Sequence, residues 1–330
     1  APDQALADNT ADELLPYAAY LGADGSIQDT MFDAFAFVPC HGDYPSGGRL
    51  VKTNGKPGAV MSDWLLYLEN TFAESINLDA LDKTVARVNE QLGRDTPCKV
   101  FLTMPYPLTQ DKPFGDIDGD GREEYTRTND ERLAVLAWYE SECVRRFDEA
   151  GYENLTLVGF YWYAELINYA ASDFGEALVQ SFNAYVHSKD LGTMWIPYYC
   201  APGMERAVDL GFDVACVQNG YAFPKEDSEN GLVQPGVIAD SLDIAYRYGL
   251  GAEIELQLVE DYFDRYSEYI SGNYHAGVMT DSFTAFYQGG GPGALYTCAF
   301  GNNKQRAVYD MTYMYIKGTY EEFAPVIEQD

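Results

Sequence analysis

In the segment GAEIELQL (251–258) polar and apolar residues alternate without a break, placing Glu253, Glu255 and Gln257 on one face and Ile254, Leu256 and Leu258 on the other. This pattern predicts a β-strand whose aliphatic face is covered by helices and whose acidic face is turned inward. A second segment, NLTLVGFYWYAE (154–165), puts Tyr161, Tyr163 and Glu165 on one face. Short apolar runs of this kind alternate with amphipathic stretches along most of the chain, the pattern of a parallel α/β architecture. Eight strands are predicted: PYAAYLG (16–22), FDAFAFVPC (32–40), KVFLTMPYP (99–107), NLTLVGFYWYAE (154–165), TMWIPYYCA (193–201), DVACVQNGYAF (213–223), AEIELQL (252–258) and HAGVMTDSF (275–283). Eight is the strand number of a (β/α)8 TIM barrel. The expected organisation is therefore one such α/β domain over residues 1–330, with its barrel core at about 16–320.

Helix signals fit between these strands. Thr128 or Asn129 caps a helix running through Trp138 and Phe147 to Gly151, and Asp240 or Ser241 opens one that ends before Gly249. A further helix is expected at 259–271, stopped by Gly272, and a closing helix near 303–317, before Gly318. Nothing reads as a Pro/Gly/Ser linker or an internal repeat. The glycines at 289–293 read as a loop following the last strand.

Charge narrows the partners. Against 21 basic residues stand 52 acidic ones, a formal net charge of −31, which disfavours nucleic acid and anionic membrane surfaces and suits a neutral or cationic ligand. No run approaches a membrane span, and the start APDQALADNT lacks the basic and apolar regions of a signal peptide, so the chain is expected to begin after a cleavage or inside a larger protein. Cys40, Cys98, Cys143, Cys200, Cys216 and Cys298 are widely spaced without a CxxC pair and read mostly as buried thiols. Three histidines without HExxH argue against a histidine metal centre. Neither a P-loop, a strand-linked GxGxxG nor a GxSxG elbow is found.

The chemistry-bearing candidates gather at the C-terminal ends of the predicted strands. Glu165 follows aromatic residues that would desolvate its charged form and raise its pKa toward that of a general acid. Glu253 and Glu255 stack two residues apart on an inward face, and Glu255, nearer the rim, is the favoured nucleophile. Counted from PYAAYLG, Glu165 ends the fourth strand and the other two glutamates lie on the seventh. Clan A glycosidases, a barrel superfamily, place their acid/base after the fourth strand and their nucleophile on the seventh, so the arrangement resembles theirs. Further substrate contacts are expected from His41 and Asp43 after strand two, Tyr106 after strand three, and Tyr161 and Tyr163 on strand four. Tyr198 and Tyr199 would add to these at strand five, Gln218, Asn219 and Tyr221 at strand six, and Asp281 at strand eight, because flat aromatic faces bind sugar rings while amides and carboxylates fix hydroxyls. Arg49 in GGRL is a candidate for an anionic substituent. In DIDGDGREE, Asp116, Asp118 and Asp120 reproduce the alternating ligands of a calcium loop, although Arg127 holds the position of the usual bidentate glutamate; a structural calcium ion is the one cofactor expected, and a solvated acidic turn is the alternative.

The series FDAFAFVP, MPYP followed by FGDIDGDG, NDERLAVLAWYE, NLTLVGFYWYAE, WIPYYCAPG, GFDVACVQNGYAF and GAEIEL resembles the bacterial family known as domain of unknown function 4855, from about residue 16 to 320. The resemblance implies an extracellular or cell-surface bacterial protein, in a family whose function is unassigned. From the residues themselves the leading expectation is a glycoside hydrolase working by a two-glutamate, retaining mechanism on an oligo- or polysaccharide. The alternatives are a catalytically silent barrel that binds carbohydrate or cell wall, and a different hydrolase or lyase using the calcium-like loop.

Overall fold

The computed structural model describes residues 8–39, 44–51, 57–167, 175–223, 236–289 and 293–321. Helix α1 (Ala11–Ala18) leads into a small antiparallel hairpin, β1 (Ala19–Leu21) with β2 (Ile27–Thr30). The main sheet follows, with strands β3 (Ala34–Phe37), β4 (Cys98–Met104), β5 (Leu155–Trp162), β6 (Gly192–Trp195), β7 (Val214–Val217), β8 (Gly251–Glu255) and β9 (Thr284–Tyr287) in sequential order and all parallel. Crossovers are made by α2 (Met61–Thr71) and α3 (Asn77–Leu92), α4 (Asn129–Ala150), α5 (Glu176–His187), α6 (Val237–Tyr248), and α7 (Tyr262–His275) with the short α8 (Val278–Asp281). The chain closes with α9 (Gly293–Phe300) and α10 (Asn303–Ile316). Phe32, just before β3, packs edge-on against Phe286 of β9 with centroids 5.1 Å apart, so the sheet curls until its two edge strands approach.

Seven strands, not eight, form this sheet among the described residues. PYAAYLG fails as a barrel strand because Thr10 and Glu13 form a capping box that starts α1, and the helix runs through Pro16 before the hairpin begins. HAGVMTDSF fails because it is the end of α7 plus α8, and the last strand, TAFY, comes directly after it. Glu165 thus follows the third strand of the sheet, and Glu253 and Glu255 lie on the sixth. The three-strand interval between them is kept. Two helix ends also differ: α6 starts at Val237, and α7 continues through Gly272, where a Cβ would sit 2.9 Å from Ile238 Cγ2. Gly272 is there to let α6 and α7 approach, not to end the helix. Thr128 caps α4 and Gly151 ends it at φ 62°, as expected, and the closing helix α10 lies where expected, capped by Asn302.

One irregularity decides which side chains face inward. Val100 of β4 pairs with Leu157, but Phe101 pairs with Gly159, so β5 carries one extra residue at Val158. A bulge of one residue exchanges the two faces of a strand. Gly159 lies so near Gly192 that a Cβ would stand 2.1 Å from the Gly192 carbonyl oxygen. Beyond the bulge, Phe160 and Trp162 turn outward, Trp162 meeting Phe182 of α5 at 5.0 Å, and Tyr161, Tyr163 and Glu165 turn inward. On β8, Ile254 pairs with Phe286, which packs on Tyr315 of α10, so Glu253 and Glu255 hold the inward face. No helix among the described residues is long and apolar enough to cross a membrane. Of the described cysteines Cys98, Cys143, Cys216 and Cys298 are buried free thiols and Cys200 is exposed; Cys40 lies outside the described residues.

Candidate active site

The inward faces of β5, β7, β8 and β9 meet at the C-terminal mouth of the sheet. Glu253 and Glu255 are 3% and 1% exposed, while Glu165, three residues past the end of β5, is half-buried. Burial pushes the Glu165 carboxyl above the usual range. Burial is also the main cause for Glu255, raised to about 7 although Tyr269 and the backbone N–H groups of Gly220 and Tyr221 hydrogen-bond it, with the charge of Glu165 raising it further. Glu253 is driven well above the carboxylate range by burial first, then by Glu255 and Glu165; the Gln218 amide relieves this in part. One oxygen of Glu253, Oε2, is buried without any hydrogen-bond partner.

Tyr269 of α7 is the hub of the site. Its ring is fully buried, its hydroxyl touches Glu255 Oε2 and lies 2.5 Å from Asn219 Oδ1, and it accepts the Tyr221 N–H at 3.1 Å. A phenol has one proton to donate, so it serves Glu255 or Asn219 but not both at once. Ionised Glu255 takes that proton as an acceptor; protonated Glu255 supplies its own. Tyr161 completes the floor, buried and pressed by desolvation and by the charges of Glu165 and Glu253 to stay protonated. Its ring meets Tyr163 edge-on at 6.2 Å, and the Tyr163 hydroxyl donates to Pro39 O at 3.0 Å. Tyr287, paired with Glu255 across β8 and β9, adds an aromatic wall with Phe223 at 5.7 Å.

Strand parity sorts the remaining candidates. Tyr198 stands exposed at the rim beside Gln218, to which it is bridged. Tyr199 has the opposite parity, and its hydroxyl donates to Asp240 of α6. Asn219 likewise leaves the inner face for Tyr269 and Ser241. The Tyr221 ring lies against α7, with its hydroxyl on Glu268 at 2.5 Å and Arg265 5.2 Å from its centroid. Tyr106 is not at the mouth: sharing the parity of Leu102 and Met104, it is buried between sheet and α4, edge-on to Trp162 at 5.6 Å and bonded to Arg132. Asp281, in α8, precedes β9 and so lies exposed at the N-terminal end of that strand, opposite the mouth. Arg49 is half-buried on a segment whose next residue, Leu50, accepts the Tyr106 N–H at 2.8 Å. His41 and Asp43 lie outside the described residues. Tyr269 and Tyr287 were not anticipated; the signal for Tyr269 was a tyrosine on the buried face of an amphipathic helix, whose hydroxyl needs a polar partner inside.

Asp116, Asp118 and Asp120 converge, each offering an oxygen within 4.8 Å of the others. Asp116 also accepts the N–H groups of Gly119 at 2.7 Å and Gly121 at 2.8 Å, and Glu124 turns to Ile117 N at 2.7 Å. The span is about twice a calcium–oxygen distance of 2.3–2.6 Å, so the donor set fits such an ion.

Residues 2–314 match the family described as Domain of unknown function (DUF4855), and the chain belongs to that family. No curated protein matches it. Among solved structures it is similar to the catalytic domain of a family GH18 chitinase from the fern Peteris ryukyuensis, with 9% identity and a TM-score of 0.41 over 74% of this chain and 81% of that one. It is similar also to an α-amylase from Geobacillus thermoleovorans complexed with acarbose (12% identity, TM-score 0.38, 74% of this chain and 62% of that one). A fungal β-1,4-galactanase structure gives 11% identity and a TM-score of 0.39, over 86% of this chain and 88% of that one. Likenesses this distant assign no chemistry, which rests on the side chains themselves.

A carboxyl whose folded pKa is raised favours the folded state below its unfolded pKa, near 4.5, and loses that contribution as pH rises through the folded value, at about 1.4 kcal/mol per unit. Glu253→Gln removes the ionisation. The variant is expected to melt close to the wild type at pH 4.5 and a few degrees above it at pH 8, by calorimetry; a difference that does not change with pH would contradict the burial of an uncompensated acid.

Proposed function

We propose that this member of the DUF4855 family is a glycoside hydrolase in which Glu165 is the general acid/base and Glu255 the nucleophile of a retaining mechanism. What supports the reading is that Glu165 and Glu255 come from strands three apart, that the charge of Glu165 is felt at Glu255, and that Glu255 has a phenol and two backbone N–H groups as donors suited to its anion. A sugar seated over the mouth removes the water that Glu165 still touches, which raises its pKa, whereas Glu255 keeps Tyr269 and two backbone N–H groups. Substrate therefore favours the proton on Glu165, where an acid needs it, while Glu255 keeps donors suited to its anion. A carboxylate oxygen of Glu255 then bonds to the anomeric carbon as the glycosidic C–O bond breaks; its electron pair goes to the leaving oxygen, which takes the Glu165 proton. In the second half Glu165 removes a proton from water, which displaces Glu255. Glu253, held by Gln218, braces the nucleophile from below.

The protein is proposed to act outside the cell or at the cell surface, on a glycan, where its charge of −31 keeps it soluble. The aspartate loop at 116–120 is proposed to take one structural calcium ion, outside the chemical steps. Adding calcium to chelator-treated protein is expected to raise the melting temperature, and Asp118→Asn to abolish that rise; no calcium-dependent shift would reject the site.

Activity on a broad glycan panel, read by released reducing ends, finds the substrate. Glu165→Gln is then expected to lower turnover by about 10²- to 10⁴-fold with azide restoring part of it, and Glu255→Gln to be inactive with or without azide. Near-wild-type rates in both variants would reject the mechanism, and binding of a glycan without any turnover by the wild type would favour the carbohydrate-binding reading, to which the exposed rim residue Tyr198 is suited.

A further inference from the structure

Glu253 has no role in bond cleavage under the mechanism above, yet its carboxyl is the most unfavourably placed group in the chamber. It is 3% exposed, and its Oε2 finds no hydrogen-bond partner, although buried polar atoms are almost always paired. It sits one inward position below Glu255, with Ala285 beside it in register and Gln218 on the other side. The titratable groups facing it are Tyr161 of β5, Glu165 just past that strand, Cys216 of β7, Glu255 on its own strand and Tyr269 of α7. Among the described residues none of these groups is cationic.

A chamber with three convergent carboxyls, one orphaned oxygen and aromatic walls is complementary to a small positive charge bearing several N–H donors. We infer that the site takes a sugar carrying a free amine, a hexosamine whose ammonium group is seated on Glu253 Oε2, below the mouth at which Glu165 and Glu255 act. This rests on the reading that the chamber receives a sugar. An ammonium supplies the missing hydrogen bond and the missing countercharge together. A neutral hydroxyl supplies only the first. The acidic surface, at a net charge of −31, raises the local concentration of a cationic glycan and repels an anionic one.

Charge bookkeeping separates this from ordinary sugar binding. Near neutral pH the empty chamber retains protons on its buried acids, and an incoming ammonium displaces one, while an uncharged ring does not. The test is calorimetric titration of the whole chain at pH 7 with glucosamine and galactosamine methyl glycosides, against the N-acetyl and 2-hydroxy counterpart of each. It is run in two buffers of different ionisation enthalpy to count protons. The expected result is at least tenfold tighter binding of one amine over its neutral counterparts, with release of about one proton, and loss of both the preference and the proton release in Glu253→Gln. Equal binding of a neutral counterpart without proton release would overturn the ammonium assignment and leave the carbohydrate reading standing. Amine binding with the expected proton release, but without cleavage of any amine-bearing glycan, would uphold the assignment and reject the hydrolase. Failure of every sugar to bind would overturn both.

Discussion

The structure is organised around the burial of carboxyl groups that have no described countercation. Taking a carboxylate out of water costs several kcal/mol unless a partner restores what solvent supplied. Here restoration is partial and unequal. Glu255 receives a phenol and two backbone amides, Glu253 receives one amide and keeps an unpaired oxygen, and Glu165 keeps some water. Three chemically identical side chains thus acquire three proton affinities from position alone, which is the condition for dividing acid and nucleophile roles among them.

That division depends on elements far from the chemistry. The extra residue at Val158 turns Tyr161, Tyr163 and Glu165 inward; a regular strand would have aimed them at the helices. The bulge is tolerated because Gly159 and Gly192 have no side chains to collide. On the opposite wall, Tyr269 reaches Glu255 from a helix that comes close to its neighbour through Gly272. Tyr269 also ties Asn219 and Tyr221 to the same hydroxyl, so the loop after β7 and the strand that carries Glu255 are fixed by one buried group. A rigid frame is what an acid and a nucleophile on separate strands require.

Much of this was legible in the sequence where it depends on parity. The inward set on β8 follows from alternation, and alternation also groups Tyr161, Tyr163 and Glu165 on one face, but the bulge at Val158 that turns this face inward has no signal in the pattern. Parity applied equally to Tyr106, Tyr199 and Asn219 would have sent them outward; grouping them by nearness to strand ends concealed it. Both ends of the sheet were misread for local reasons. Thr10 and Glu13 are a capping box that outweighs the apolar look of PYAAYLG, and the four-residue strand TAFY is too short to stand out beside HAGVMTDSF. Tyr269 lies beyond this kind of reading, since a helical pattern shows that a tyrosine is buried but not which carboxylate it meets.

The central claim is that Glu165, Glu253 and Glu255 share one electrostatic chamber. Titration of the protein with ¹³C-labelled glutamate side-chain carboxyls, followed by NMR, measures it directly. Two glutamates are expected to titrate well above the usual carboxylate range, Glu255 at about 7 and Glu253 also raised, and both midpoints should fall in Glu165→Gln, which removes a neighbouring charge. Glutamates that all titrate near 4.5, or midpoints for 253 and 255 that ignore the change at 165, would contradict the account.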